Sequence, residues 1–522
     1  MEVNAVPSDI PLVKNKNQDI FLKTLEKKTS YIAILACFLF LAIFSLFKLL
    51  NYEKHIETTY EIFENTPIVI SAPIETINNK LIFISHGFAG STSFMRPIAI
   101  SLAKAGFITI RFDFLGHGRH PQPYTGDITT VEGATQNFVK QTNSILTHYF
   151  RKYQKEAGVI IGHSMASDIV IRSAKRNSKI EGVIGISTYS NAITPTEPKN
   201  LLILNGQWEP PLRNKAKDML SVAGIKNPQE SILYGNFQDG TARKAIAVKN
   251  SDHIGVLYST KTQQEIIKWV KQLSSKNLEF IPNRIGLWAA LLFSSLFISF
   301  ILSLKFLPDR KLRKYQFKFG RFFFGNVMAA ILIPYVLKIY TIKFLTLPAH
   351  NYLINHLLLT SVLLIILLPI KFDKSLLKSF NLYIFALLFI FFTFVLGGIL
   401  DNYVSSFYIS DSRIRSFVFL TLGCVPIMVI VQMFYQASKH GWIMGNIGKL
   451  SIILSLSISI LLDFKQLFIL GYAVILLIAF GLIFGFLANL INNKYNNFLS
   501  VGIANGLVLA WAFATALPTY IP

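Results

Sequence analysis

The chain has 522 residues, a formal net charge of +23 and a hydrophobic content of 52%, and this length is enough for two or more domains. Charged residues occur throughout residues 51–280, whereas residues 281–522 consist mainly of long apolar runs. Apolar runs of about 20 residues are long enough to cross a bilayer. The composition therefore excludes a single soluble domain and predicts a soluble domain joined to a polytopic membrane domain.

The excess of Lys and Arg lies beside the apolar runs, which favours a role in membrane topology. No segment has the pattern of a nucleic-acid-binding module, so we expect a membrane rather than nucleic acid as a partner. Contact with anionic lipid is the second interpretation. The two cysteines, Cys37 and Cys424, both lie in apolar runs, where we expect them to act as small apolar side chains outside any disulfide framework.

Residues 1–30 are predicted to form a polar N-terminal tail, with basic residues just before the first apolar run at 31–50. A cleaved signal peptide is the alternative interpretation, but the run lacks the usual small-residue cleavage site. We therefore expect a retained transmembrane anchor with a cytoplasmic N-terminus.

The soluble region alternates strand and helix patterns. Strands are predicted at 56–63, 66–73, 81–86, 107–113, 158–164, 181–187, 200–206 and 245–251, and helices at 93–105, 132–153, 165–175 and 261–273. Such alternation implies a mostly parallel sheet covered by helices on both faces. The predicted fold class is therefore α/β, with a doubly wound, mostly parallel sheet.

The second half of the chain contains eight further apolar segments. They lie near 284–305, 321–341, 351–370, 380–400, 414–436, 447–463, 466–491 and 496–517. Loops predicted on the cytoplasmic side are basic: the first, KFLPDRKLRKYQFKFGR, holds seven Lys or Arg residues and one Asp. The positive-inside rule therefore predicts an inner or plasma membrane protein whose soluble domain is periplasmic or extracellular.

Ionisable residues are few within these apolar segments. Lys338 and Lys343 lie near a predicted outer helix end, Asp401 and Asp463 at helix ends, and His356 near a helix start. Intramembrane charges mark ion and substrate paths, and this distribution does not indicate a transport site.

Three motifs follow predicted strands. GHSMA (162–166) lies between a strand and a helix, where small residues around Ser164 allow a sharp turn that presents the serine hydroxyl. HGFAGS (86–91) and FDFLGHGRHP (112–121) each follow a strand. Together these motifs resemble the α/β-hydrolase superfamily over about residues 55–275, and the stretch HGFAGSTSFMRPIAISLAKAGFITIRFDFLGHGRH is similar to its esterase and lipase-like branch.

The resemblance implies a serine hydrolase with Ser164 as nucleophile. Acyl transfer develops charge on a carbonyl oxygen, which two backbone N–H groups must stabilise. The family's pattern assigns these N–H groups to Met165, directly after the nucleophile, and to Phe88 in the HGFAGS loop. A simple Gly-rich turn is the alternative interpretation of that loop.

The family's chain order is serine, then acid, then histidine. Glu209 follows the seventh predicted strand and is the predicted acid, while His253 follows the eighth strand and is the predicted base. Asp239 is the alternative acid. Asp252 adjoins His253 in sequence, but neighbouring side chains on a loop rarely point at each other, so it is a weaker candidate.

No metal or other cofactor is predicted. Four histidines lie near the motifs, but their spacing does not match a set of metal ligands; they are His86, His117, His120 and His163. The resemblance implies that Asp113, Gly116 and Gly118 form a turn with a structural role, which shapes the loop under the active site.

Only residues 188–199 separate the sixth and seventh predicted strands, so a large lid at that point is excluded. The active site is then open, or it is covered by the membrane domain or by residues 224–243. An open site beside a bilayer suits a lipid or acylated substrate.

Three classes of function remain after these observations. The first is a membrane-anchored serine hydrolase or acyltransferase that acts on an acyl ester of a lipid or membrane-proximal substrate. The second is a transporter or membrane scaffold with a regulatory hydrolase-like domain, and a sensor that traps an acyl ligand is a weaker third. The oligomeric state, acyl chain and acceptor do not follow from the sequence.

Overall fold

The computed structural model describes residues 16–75, 78–127, 130–274, 279–306, 315–368, 377–437, 440–494 and 497–521. The first half of the predicted N-terminal tail and parts of the basic loops, including residues 307–314 and 369–376, lie outside the described residues. The predicted boundaries of the four segments, 1–30, 31–50, 51–280 and 281–522, stay predictions.

Eight strands form one sheet with the order β1-β2-β4-β3-β6-β7-β8-β9, and a second sheet pairs β5 with β10. β2 runs antiparallel to β1 and β4, and the other neighbours are parallel. The prediction of a mostly parallel α/β-hydrolase sheet is confirmed. The strands are β1 (Ile56–Phe63), β2 (Thr66–Pro73), β3 (Lys80–Ser85), β4 (Ile108–Phe112), β5 (Tyr124–Thr125), β6 (Ala157–His163), β7 (Ile180–Ile186), β8 (Leu201–Gly206), β9 (Arg243–Val248) and β10 (Tyr520–Ile521).

The central strands are apolar because both of their faces are buried. In β3, Leu81 and Phe83 pack into one core cluster, whereas Ile82 and Ile84 pack into the cluster on the opposite face. Successive side chains of a strand alternate between faces, so a strand covered by helices on both sides reads as a continuous apolar run. These continuous apolar runs are the pattern from which the central strands were predicted.

Helices cover both faces of the sheet. They are Arg96–Lys104, Gln136–Lys152, Met165–Ala174, Pro210–Val222, Gly255–Tyr258 and Thr260–Leu273. The helix Pro210–Val222 was not predicted, since its sequence is largely polar and only Ala216, Met219 and Leu220 are buried. The strand β9 begins and ends earlier than the predicted 245–251. It ends at Val248 because Lys249 and Asn250 form a turn, in which Asn250 has a positive φ.

Eight helices among the described residues are long and apolar enough to cross a membrane. They are Thr29–Glu53, Ile285–Phe306, Phe319–Ile339, Pro348–Leu367, Leu382–Tyr403, Asp411–Tyr435, Gly441–Leu462 and Phe498–Ala516. The predicted segment near 466–491 coincides with the helix Leu470–Lys494, whose apolar part is Leu470–Phe484. Each predicted apolar segment thus corresponds to a helix.

Polar contacts join the hydrolase domain to these helices. Arg119 donates two hydrogen bonds, of 2.6 and 2.7 Å, to the carboxylate of Asp401, and Arg96 pairs with Glu53 of the first helix. Asp401 therefore does more than end a helix: it accepts hydrogen bonds from Arg119 and from two backbone N–H groups of the following loop.

A second junction is formed by the C-terminal segment. Strand β10 pairs in parallel with β5, which extends from the hydrolase domain. Arg413, buried in the helix Asp411–Tyr435, donates to the carbonyl oxygens of Ala514 and Leu517 at 2.9 and 2.6 Å and to that of Gly116 at 3.1 Å. The hydrolase loop at Gly116 is thereby connected to two membrane helices.

Candidate active site

Ser164 lies at a sharp turn between β6 and the helix Met165–Ala174. Its φ is 52° and its ψ is −119°, a conformation that is strained for a residue with a side chain. A Cβ on Gly162 would lie 2.5 Å from the carbonyl oxygen of Ala166. The tight turn therefore requires glycine at this position. The GHSMA sequence therefore allows the chain to present Ser164 at the carboxyl end of the sheet.

The structure brings Ser164, His253 and Glu209 together. His253 Nε2 lies 2.9 Å from Ser164 Oγ, and His253 Nδ1 lies 2.6 Å from Glu209 Oε1. A carboxylate can only accept, so Nδ1 carries the proton and Nε2 of the neutral ring accepts from the serine hydroxyl. The three residues follow β6, β8 and β9, whose carboxyl ends meet at one edge of the sheet.

Glu209 is held in place by donors that the sequence analysis did not identify. Its Oε2 accepts from Ser187 Oγ at 2.8 Å and from the Gly206 N–H at 2.6 Å. Burial raises the pKa of Glu209, but the hydrogen bonds from His253, Gly206 and Ser187 outweigh burial and hold the pKa below its ordinary value. The carboxylate is therefore ionised and orients His253. Ser187 directly follows β7. Its position at the same edge of the sheet as Ser164 and Glu209 is the sequence feature that could have indicated a role in the site.

The HGFAGS loop runs directly against the turn of Ser164. A Cβ on Gly87 would lie 2.9 Å from both Ser164 Cβ and His163 Nδ1, so this close approach requires glycine. Among the described residues, neither the Phe88 N–H nor the Met165 N–H donates a hydrogen bond. Both donors are thus available beside the serine.

Replacing Gly87 with alanine should displace this loop from the serine. We expect kcat for ester hydrolysis to fall about 100-fold, the size of effect seen when an oxyanion donor is lost. The matched control is Gly320→Ala, where the added Cβ meets no atom within 4 Å. Equal kcat values for the two variants would contradict a role for the loop.

The four histidines near the motifs are buried and make structural hydrogen bonds. His86 Nδ1 donates to the Gly87 carbonyl at 2.8 Å, and His163 Nε2 donates to the His253 carbonyl at 2.9 Å. Burial lowers the pKa of His163 to about 3 and that of His120 to about 4. No cluster of three or more His, Cys, Asp or Glu able to hold a metal occurs in the described part of the chain.

The other candidate carboxylates lie elsewhere. Asp239 is exposed and accepts from Thr241 in a loop that precedes β9, at the opposite edge of the sheet from His253. The structure therefore does not bring the alternative acid into the site. Asp252 accepts from the N–H groups of Ile254 and Gly255, just before and at the start of the short helix Gly255–Tyr258.

The predicted structural turn supports the loops beneath the site. The carboxylate of Asp113 accepts from the N–H groups of Thr92 at 2.7 Å and Arg119 at 2.9 Å. Gly118 has a positive φ and lies against that carboxylate. Asp113 thus ties the segment after HGFAGS to the loop that carries Arg119.

Exposed apolar side chains adjoin the site residues in the sequence. Trp208 and Ile254, which adjoin Glu209 and His253 in sequence, are both exposed, as is Tyr189. Residues 188–199 contain no helix or strand, so no helical lid is inserted there. Instead, Phe468 and Tyr472 from the membrane half contact the ring of Phe88.

Comparisons with known proteins describe the hydrolase half of the chain. A family model described as "Serine aminopeptidase, S33" matches residues 76–234, and no curated protein matches the chain. Similar solved structures include a predicted CIB-like hydrolase from Thermoplasma acidophilum, at 14% identity over 42% of this chain and 96% of that chain, with a TM-score of 0.31. A lipase in its open form is 12% identical over 42% of this chain and 100% of that chain, with a TM-score of 0.33.

A membrane phospholipase A, described as a bacterial virulence factor, is 10% identical over 48% of this chain and 96% of that chain, with a TM-score of 0.31. The family match rests on sequence and the strand order rests on the structure, and both agree with the resemblance seen in the motifs. Together they show that this half of the chain has the α/β-hydrolase fold and is joined to apolar helices that fit a membrane domain.

Proposed function

We propose that the chain is a membrane-anchored serine hydrolase that cleaves or transfers an acyl ester of a lipid or another membrane-proximal substrate. The observation that carries the proposal is the hydrogen-bonded series Ser164–His253–Glu209, with distances of 2.9 and 2.6 Å. The free N–H groups of Phe88 and Met165 lie beside it and supply an oxyanion hole.

In this mechanism His253 Nε2 removes the proton from Ser164 Oγ as the oxygen attacks the ester carbonyl. Glu209 stabilises the imidazolium that forms, and the Phe88 and Met165 N–H groups bind the oxyanion. Collapse of the tetrahedral intermediate expels the alcohol, which takes the proton from His253 and leaves acyl-Ser164. Water, or a second alcohol in a transfer reaction, then attacks the acyl group with His253 again as base.

The surroundings of the site support a membrane-proximal substrate. Trp208 and Ile254, which adjoin Glu209 and His253, and Tyr189, two residues after Ser187, are exposed and suit an acyl group rather than a strongly polar one. The positive-inside pattern of the loops favours a location of this domain on the periplasmic or extracellular side.

An amide substrate is the second candidate, because the matched family model is described as a serine aminopeptidase. The same Ser164, His253 and Glu209 serve ester and amide cleavage. Parallel assays with 4-nitrophenyl esters and aminoacyl 4-nitroanilides separate the two classes: faster turnover of the anilides would favour the peptidase.

Fluorophosphonate labelling of membranes tests the proposal directly. We expect the wild type to be labelled and Ser164→Ala to be unlabelled, because only an activated serine forms the adduct. The control is Ser221→Ala, an exposed serine of the same domain, which should label like the wild type.

Absence of labelling in folded wild-type protein would overturn the enzyme proposal and favour the alternative, a transporter or scaffold with a regulatory hydrolase-like domain. Labelling without turnover of any ester or amide would instead favour a sensor that traps an acyl ligand.

A further inference from the structure

Phe88 lies between the two halves of the protein. On the hydrolase side its ring contacts His117 and Tyr124, with centroid distances of 5.1 and 6.5 Å. On the membrane side it contacts Phe468 and Tyr472, at 6.0 and 5.4 Å. Gly87, the residue before Phe88, abuts Ser164 Cβ, so these two rings contact the loop that runs against Ser164.

Tyr472 begins an exposed face of the helix Leu470–Lys494. Tyr472, Ile475, Ile478 and Leu482 are 37%, 62%, 45% and 73% exposed, and their spacing places them on one side of a helix. Between them, Ala473 and Leu477 are buried against neighbouring helices. An exposed apolar face on an apolar helix is stable in contact with lipid chains rather than water.

We propose that Phe468 and Tyr472 are specificity-determining residues that form the wall receiving the acyl chain of a membrane lipid, which reaches Ser164 along the exposed face of Leu470–Lys494. The inference rests on the proposed function and names its substrate class: a lipid ester with a long chain. The membrane half thereby supplies the apolar wall that an inserted lid would otherwise provide.

Continuity distinguishes this face from other lipid-facing surfaces of the bundle. Helix Gly441–Leu462 also exposes apolar residues, among them Leu454 and Leu461. The ring contacts of Phe88 in the described part of the chain are with His117, Tyr124, Phe468 and Tyr472, and none of these residues lies on that helix. Tyr472, at one end of this exposed face, contacts Phe88 of the candidate oxyanion loop. We therefore expect an acyl chain that lies along the face to lead toward the loop beside Ser164.

The test compares turnover of 4-nitrophenyl palmitate and 4-nitrophenyl acetate by the full chain in lipid vesicles. For Tyr472→Ala and for Phe468→Ala we expect the ratio of the kcat/KM values, palmitate over acetate, to fall about tenfold or more, since each variant removes apolar surface that a long acyl chain contacts and an acetyl group does not. Tyr472→Phe keeps the ring and should keep the ratio within about twofold. Tyr335→Ala, at an exposed tyrosine of helix Phe319–Ile339, is the matched control.

An unchanged ratio in both alanine variants, with wild-type turnover intact, would overturn this inference and leave the proposed function standing. Equal losses for acetate and palmitate would also overturn it, because a purely structural role lowers both. Wild-type protein that hydrolyses neither ester and takes no fluorophosphonate label would instead overturn the proposed function, and this inference with it. If one alanine variant fails to take the label, the other carries the test.

Discussion

Replacing Glu209 with glutamine is expected to lower kcat by about 10,000-fold while KM changes little, because the amide no longer fixes the imidazole tautomer or stabilises its charge. His253 Nδ1 now donates to Glu209 at 2.6 Å. A glutamine amide in that place can donate to Nδ1, which puts the proton on Nε2 and removes the acceptor for the Ser164 hydroxyl. Steady-state ester hydrolysis measures the loss.

The control is Asp239→Asn, which changes the exposed carboxylate at the opposite edge of the sheet and should leave kcat within about threefold of wild type. A large loss in Asp239→Asn together with near-normal activity in Glu209→Gln would reverse the assignment of the acid.

The Glu209→Gln substitution also predicts how stability depends on pH. The folded-state pKa of Glu209 lies below its ordinary value of 4.5, so its charged form stabilises the fold above that pH, and the contribution disappears as the pH falls through the lowered pKa. The stability difference between wild type and Glu209→Gln should therefore be present at neutral pH and shrink below the ordinary value.

Replacing Arg413 with leucine is expected to lower the free energy of unfolding by roughly 3 kcal/mol or more, because hydrogen bonds from a charged group to buried acceptors are each worth about 1.5–3 kcal/mol. Arg413 is 3% exposed, and its guanidinium donates to the carbonyl oxygens of Gly116, Ala514 and Leu517. Leucine leaves buried acceptors without these donors. Thermal unfolding in detergent measures the change.

Arg415→Leu is the matched control, since Arg415 is exposed two residues further along the same helix and should change stability by less than about 0.5 kcal/mol. If both variants unfold at the same temperature as the wild type, Arg413 does not hold the hydrolase loop to the membrane helices.

Local patterns predicted most of the fold. The apolar run at 81–86 became β3 because its alternating residues fill two cores, and the long apolar segments became helices of spanning length. Helix Pro210–Val222 escaped prediction because its buried face holds only three residues in a polar segment. The strands β5 and β10 are two residues each, too short to leave any periodicity in the sequence.

The three central residues of the candidate site could be predicted from the sequence, but the residues that hold them in place could not. Ser164, Glu209 and His253 were predicted from turn chemistry and chain order, and their roles stay predictions that the experiments above test. Ser187, which donates to Glu209, carries no motif. The pairing of Arg119 with Asp401 joins residues 282 positions apart, and nothing near either residue indicates the other.

By itself, the sequence determined the features that depend on neighbours along the chain. These are the two halves of different hydropathy, the strand and helix segments and the tight turn at 162–166. Only the tertiary structure decided which distant groups meet without a motif to indicate it: Ser187 with Glu209, Arg119 with Asp401, and the rings of Phe468 and Tyr472 with Phe88. The reason is physical, since periodicity and turn geometry act over a few residues, whereas contacts between distant residues depend on how whole strands and helices pack.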